Sequence, residues 1–217
     1  MELAVRRDFH EQLDELYAET LRMGSDLLEA IEKTRLCFIN LDRELADEII
    51  AGDAVFDDYR DRIEEGGLEI IARQAPVAVD LRMIIVIMRM AQHCERIADL
   101  CEDIGTVVRN IPTDHVHSWI RGTIDEMARR ALRLVERSLE CFKERNVKMA
   151  MELDGMDDAV DRLNRGFFTE FDRWREEDIE VAVRVVIVAR FFERIADHAV
   201  DIGEHVRFMV EGTISPS

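Results

Sequence analysis

One acidic helix occurs twice in this chain, and the repetition constrains the fold more than any other feature. Glu95-Arg96-Ile97-Ala98-Asp99 recurs 98 residues later as Glu193-Arg194-Ile195-Ala196-Asp197. Each copy runs on to a further acid and the same ending, Asp103-Ile104-Gly105 and Asp201-Ile202-Gly203. The acids stand four residues apart, so a helix stacks all three on one face, where like charges repel by a few tenths of a kcal/mol per pair. In a chain with 47 acidic residues among 217, a single such pair means little, because a solvated helix face often carries one. The same constellation twice means one structural unit used twice.

A second pair of copies fits the same reading. Asp57-Asp58-Tyr59-Arg60-Asp61-Arg62-Ile63 resembles Asp157-Asp158-Ala159-Val160-Asp161-Arg162-Leu163, now 100 residues apart. Asp57 lies nineteen residues before Pro76 and Glu95 nineteen after it. Asp157 and Glu193 each lie eighteen residues from Arg175. If the chain turns back at Pro76 and at Arg175, equal rise per residue brings each carboxylate pair to the height of its partner across an antiparallel hairpin. Asp57 and Asp61 then face Glu95, Asp99 and Asp103, and Asp157 and Asp161 face Glu193, Asp197 and Asp201.

Hydropathy patterning is helical throughout. Phe9, Leu13, Leu16, Tyr17, Thr20, Met23, Leu27, Ile31, Thr34, Phe38, Leu41 and Leu45 keep a three-four spacing, which predicts one helix over about 5–50. Gly52-Asp53 interrupts it, and Asp53 is suited to cap a second helix that runs to about Gln74, with Gly66-Gly67 a weak spot. Pro76 suits the first turn of a third helix ending near Arg109. The cluster Asn110-Ile111-Pro112-Thr113-Asp114 halves the chain, giving units over 1–110 and 115–212. Helices over about 117–151, 154–173 and 178–211 repeat the plan. Val181 to Val188 is rich in β-branched residues, but its register with the third helix overrules a strand. The expected fold is all-α: two pseudo-symmetric three-helix bundles, six long helices in all, from an internal duplication.

Composition narrows the function. A net charge of −18 opposes binding to nucleic acid or an anionic membrane and favours cations or a basic protein surface. No run of about twenty apolar residues is present to span a bilayer. Cys37, Cys94, Cys101 and Cys141 form no CxxC, and Met1 opens directly into charged helix without a secretory leader. The expectation is a cytoplasmic protein with reduced, packed thiols.

Clustered carboxylates without a matched histidine point to hard-ion coordination by iron, manganese, magnesium or calcium, with zinc as an outlier. The Glu-x-x-His pairs of di-iron bundles are absent. His93, His198 and His205 read as surface or partly packed side chains, because Val107 stands where a matched copy of His205 would be. No nucleophile elbow, phosphate-cradling glycine loop or Ser/His/Asp constellation is legible.

These residues resemble the PhoU family. The resemblance covers nearly the whole chain and rests on the two E(D)xxxD-bearing units and on Arg73-Gln74-Ala75-Pro76-Val77-Ala78-Val79-Asp80-Leu81-Arg82, which leads into the first Glu95-Arg96-Ile97-Ala98-Asp99. It implies two three-helix bundles, a homodimer, and an adaptor rather than an enzyme. Such an adaptor stands between a phosphate ABC transporter, at its ATPase subunit, and a two-component sensor kinase, and it negatively regulates the phosphate-starvation response. It further implies iron, zinc, magnesium or manganese on Asp57, Asp61, Glu95, Asp99, Asp157, Asp161, Glu193 and Asp197. Asp103 and Asp201 depart from the family, which commonly has Asn there, and would add a carboxylate to each site. Two other readings are a carboxylate-bundle metalloenzyme, such as a phosphohydrolase or oxidase, and a metal-free helical scaffold for basic partners.

Overall fold

A computed structural model of the chain describes residues 2–112, 116–171 and 179–212, with side chains described from Phe9 to Thr169 and from Ile179 onward inside those limits. The described residues are helical almost throughout. The elements are α1 (Glu2–Asn40), α2 (Arg43–Gly52), α3 (Ala54–Gln74), α4 (Ala78–Asn110), α5 (Ser118–Glu144), α6 (Val147–Phe171) and α7 (Ile179–Glu211). Six are long and α2 is short, so the six-helix plan stands. Residues 181–188 are helix, as their register predicts.

Two boundaries differ from the periodicity. The helix expected over 5–50 ends at Asn40, and the one expected over 117–151 ends at Glu144. Leu41 and Arg145 each adopt the left-handed conformation, both at φ 52°. The following amide N–H donates back five residues, from Asp42 to Cys37 O and from Asn146 to Cys141 O, both at 3.0 Å. This is the Schellman termination without its usual glycine. The next side chain then caps the new helix: Asp42 Oδ1 accepts from Leu45 N at 3.0 Å and Asn146 Oδ1 from Met149 N at 3.2 Å. The apolar spacing hides both breaks because the chain stays packed on the same core.

The two units therefore correspond as α1 with α5, α2 and α3 with α6, and α4 with α7. Burial fixes the register of the middle pair. Ala46, Phe56 and Ile63 are buried, and so are Ala150, Val160 and Phe167, 104 residues later. Gly105 and Gly203 agree with it: a Cβ there would lie 3.3 Å from Ala46 O and 3.4 Å from Ala150 O respectively. The 100-residue offset read from sequence is thus one helical turn out of the structural register.

Two further expectations are corrected. Pro76 lies in the turn before α4, whose N-cap is Val77, after Ala75 reverses the chain at φ 42°. Gly66-Gly67 does not interrupt α3, and Gly67 lets the helix press onto Met88 and Ile84 of α4. The turn expected at Arg175, the helix limits at 173 and 178, and Thr113-Asp114 lie outside the described residues.

One hydrophobic core runs through both units, from Phe9, Met23 and Ile31 of α1 to Phe192, Ile195 and Val206 of α7. The units meet where α4 packs on α7 and α1 on α5. The four cysteines are free and buried in this core, and burial pushes the Cys37, Cys94 and Cys101 thiols up to about 12. No described helix is long and apolar enough to cross a membrane.

Glycine substitutions test this packing. A Cβ at Gly203 would meet Leu153 Cδ1 at 2.5 Å, whereas Gly122, exposed in α5, has nothing within 4 Å. Gly203→Val is expected to destabilise by about 1–3 kcal/mol through overpacking. Gly122→Ala is expected to stabilise by about 0.5–1 kcal/mol by removing backbone freedom from the unfolded chain. Urea denaturation of the two variants against the parent chain measures both.

Candidate functional site: two acidic faces

The structural register decides which carboxylates meet. In the first unit the pair facing Glu95 and Asp99 is Asp53 and Asp57, one turn earlier than the sequence pairing. In the second unit Asp157 and Asp161 face Glu193 and Asp197. The sequence assigned Asp53 to helix capping, but its side chain makes no cap hydrogen bond and its backbone is already helical. Its carboxylate is left to the acidic face, a role that a correct 104-residue alignment would have shown.

Burial makes these faces unlike solvated ones. Glu95 and Glu193 are 4% and 7% exposed. Four carboxylate oxygens are buried without a hydrogen-bond partner: Asp53 Oδ1 and Glu95 Oε2 on the first face, Asp157 Oδ1 and Glu193 Oε2 on the second. Desolvation, followed by the charge of neighbouring acids, pushes Asp53 and Asp157 up to about 6. The neighbours are Glu102, Asp99, Asp57 and Glu95 for Asp53, and Asp197, Asp161, Glu193 and Asp158 for Asp157. Burial, then the adjacent Asp99 or Asp197, also raises Glu95 and Glu193. Asp197 is raised as well, mainly by burial.

The faces differ in their compensation. On the first, the Arg60 guanidinium reaches Asp57 at 2.8 Å and Asp61 at 2.9 Å and also pairs with Glu95. Arg96 holds Asp99 at 2.9 Å. At the position matching Arg60, the second face has Asn164, buried, with its Oδ1 also lacking a hydrogen-bond partner. Among the described residues its cations stand at the edge: Arg190 pairs with Glu193, and Arg165 holds Asp161 at 3.2 Å. The second face therefore offers buried oxygens of Asp157, Glu193 and Asn164, with Asp161 and Asp197 beside them. That all-oxygen donor set suits a hard cation, and the orphaned oxygens are the groups such an ion would satisfy. The first face has the same acids with a fixed cation among them.

Not every residue expected on these faces lies there. Asp61 sits a turn outward, its side chain 64% exposed, and is bound by Arg60. Asp103 is raised by burial and by Asp99, and it senses Arg194 of α7. Asp201 lies 3.8 Å from His198 and 3.9 Å from His93. Both last acids thus turn toward the seam between α4 and α7. The histidines there, read from sequence as surface or partly packed side chains, are brought together, because α4 supplies one and α7 two.

Comparison with known proteins follows the same two-unit division. The PhoU domain model matches residues 20–108 and again 124–206. The chain is 30% identical over 218 aligned residues to the phosphate-specific transport system accessory protein PhoU homolog of Clostridium acetobutylicum, covering 95% of this chain and 96% of that one. It is 31% identical to PhoU homolog 2 of Mycobacterium tuberculosis, covering 96% and 99%. The crystal structure of the phosphate transport system regulatory protein PhoU from Streptococcus pneumoniae superposes with a TM-score of 0.89 at 23% identity, over 96% of this chain and all of that one. PhoU from Pseudomonas aeruginosa does so with the same score at 25% identity, over 94% and 100%. With both units matched by the domain model and relatives aligned over 95% or more of the chain, this chain belongs to the PhoU family.

Proposed function

We propose that this protein is a cytoplasmic accessory regulator of phosphate transport, working as an adaptor rather than an enzyme. The observation that carries the reading is the match of both units to the PhoU domain, with accessory-protein relatives aligned along nearly the whole chain. In this reading a homodimer docks on the ATPase subunit of a phosphate ABC transporter and on a two-component sensor kinase. It restrains uptake and the starvation response while phosphate is plentiful. The charge of −18 supports docking on basic faces, since opposite fields speed encounter and suppress wrong partners.

Metal on the acidic faces belongs to the same proposal. Asp157, Asp161, Asn164, Glu193 and Asp197 would hold iron, manganese, magnesium or zinc on the second face, and Asp53, Asp57, Glu95 and Asp99 on the first. The ion would supply positive charge that joins two helices of a unit. The first face, with Arg60 already among its acids, is the weaker of the two. The metalloenzyme reading has less support, because the relatives carry names of accessory and regulatory proteins. The metal-free scaffold reading is the outcome if the following test fails.

Added metal is expected to raise the melting temperature of chelator-stripped protein, by about 2.7 kcal/mol of stabilisation at a hundredfold excess over Kd. Asp99→Asn with Asp197→Asn should abolish the response to magnesium and manganese, the hard ions that suit oxygen ligands, and leave the apo protein as stable or more so, since a repulsion is removed. Calorimetric melts with manganese and magnesium measure it, and identical melts with and without each metal would show that the faces are not metal sites. For the adaptor role, deletion of the gene is expected to leave the phosphate-starvation programme on in high phosphate. A normal starvation response, together with no capture of transporter or kinase from cell extract, overturns it.

A further inference from the structure

We infer that the α4–α7 seam holds a second kind of metal site, for a divalent transition ion of the zinc class, built from His93, His198 and Asp201 with His205 behind. Among the described residues this trio alone has three possible ligand atoms within 4.8 Å of one another. His93 Nδ1 lies 3.2 Å from His198 Nδ1, and Asp201 Oδ2 lies 3.9 Å and 3.8 Å from the two nitrogens. A tetrahedral ion with bonds of about 2.0–2.2 Å to nitrogen and oxygen separates its ligand atoms by roughly 3.3–3.5 Å. The histidine edge is already within about 0.1 Å of that range. Asp201 is half exposed, so rotating its carboxylate can close the remaining gap.

The fourth histidine-seam contact orients the first ligand. His93 Nε2 lies 3.1 Å from His205 Nε2, so a proton on His93 Nε2 can be donated there, leaving the Nδ1 lone pair facing His198. An outer partner of this kind on the far nitrogen of a ligating imidazole is the usual support of a metal site. Binding needs both Nδ1 lone pairs, so the proton shared between the His93 and His198 rings moves to the outer nitrogen of His198.

The duplication supplies the independent argument. Where the other copy has the equivalent positions, it carries Phe191 for His93, Leu100 for His198 and Val107 for His205. Leu100 is buried, and Phe191 and Val107 pack against the core. The fold closes that side with apolar groups, so three polar rings are not needed to close the other. Imidazole ligands with a single carboxylate favour zinc, cobalt, nickel or copper over magnesium and calcium, which take oxygen. The site joins the two units, whereas each acidic face lies within one.

The test uses the full chain, stripped of metal and titrated with zinc in excess magnesium, which competes for oxygen-ligand faces. One zinc per chain is expected, and cobalt in its place should give the visible absorption of a tetrahedral ion. His93→Phe and His198→Leu, each copying the other unit, should lose that equivalent and the cobalt spectrum while keeping their helical circular dichroism. His205→Val should weaken zinc about 10–100-fold. Asp99→Asn with Asp197→Asn should keep the site, which separates its failure from that of the acidic-face reading. Absence of magnesium-resistant zinc in the parent chain, or unchanged zinc binding in His93→Phe and His198→Leu, overturns the proposal.

Discussion

The packing of α4 against α7 governs everything else in this molecule. Each of these helices is surrounded on most sides: α7 by α5, α6 and α4, and α4 by α1, α2, α3 and α7. Such a helix cannot keep a broad solvated side, and its charges must fall at the margins between contacts. Glu95 and Glu193 fall where the hairpin closes, and so they are buried although ionisable. Asp103 and Asp201, eight residues further along, have rotated toward the seam because eight residues overshoot two turns of 3.6 by most of a residue. The close approach needed at those turns is granted by Gly105 and Gly203, which admit the carbonyls of Ala46 and Ala150.

Duplication gave both units one backbone plan, and the side chains then diverged on it. Arg60 and Asn164 hold the same position at the heart of the two acidic faces. One brings a fixed positive charge within reach of three carboxylates, and the other brings a neutral amide with an unpartnered oxygen. A buried carboxylate needs a countercharge or a proton. The first face carries its countercharge at its centre, while the second leaves that role to the edge arginines Arg190 and Arg165. The seam diverged in the opposite sense: it is apolar at Leu100, Val107 and Phe191 and polar at His198, His205 and His93.

The two matched turns at Leu41 and Arg145 show how little local sequence is needed when packing decides. Leu41 and Arg145 accept left-handed backbone, a conformation that disfavours side chains, because the helices on either side are each held on the core. Cys37-Phe38 and Cys141-Phe142 lie just before them, fully buried, and anchor the ends of α1 and α5. A glycine at either turn would have announced the break.

By itself the sequence determined the helical class, the division into two units, the acidic character of two matched faces and the kinship of the chain. These follow from periodicity and repetition, which are properties of position along the chain and survive without knowledge of contacts. Only the tertiary structure decided the register between α3 and α6, and with it the place of Asp53, since a slip of one helical turn leaves an i,i+4 acid pattern almost unchanged. It alone decided that Asp103 and Asp201 leave the acidic faces, because rotation over eight residues depends on what each face packs against. The meeting of His93 with His198 and His205 was likewise beyond the sequence. Those residues are more than a hundred positions apart, and no period relates them. Contact between two helices brings together side chains that neither helix pattern links.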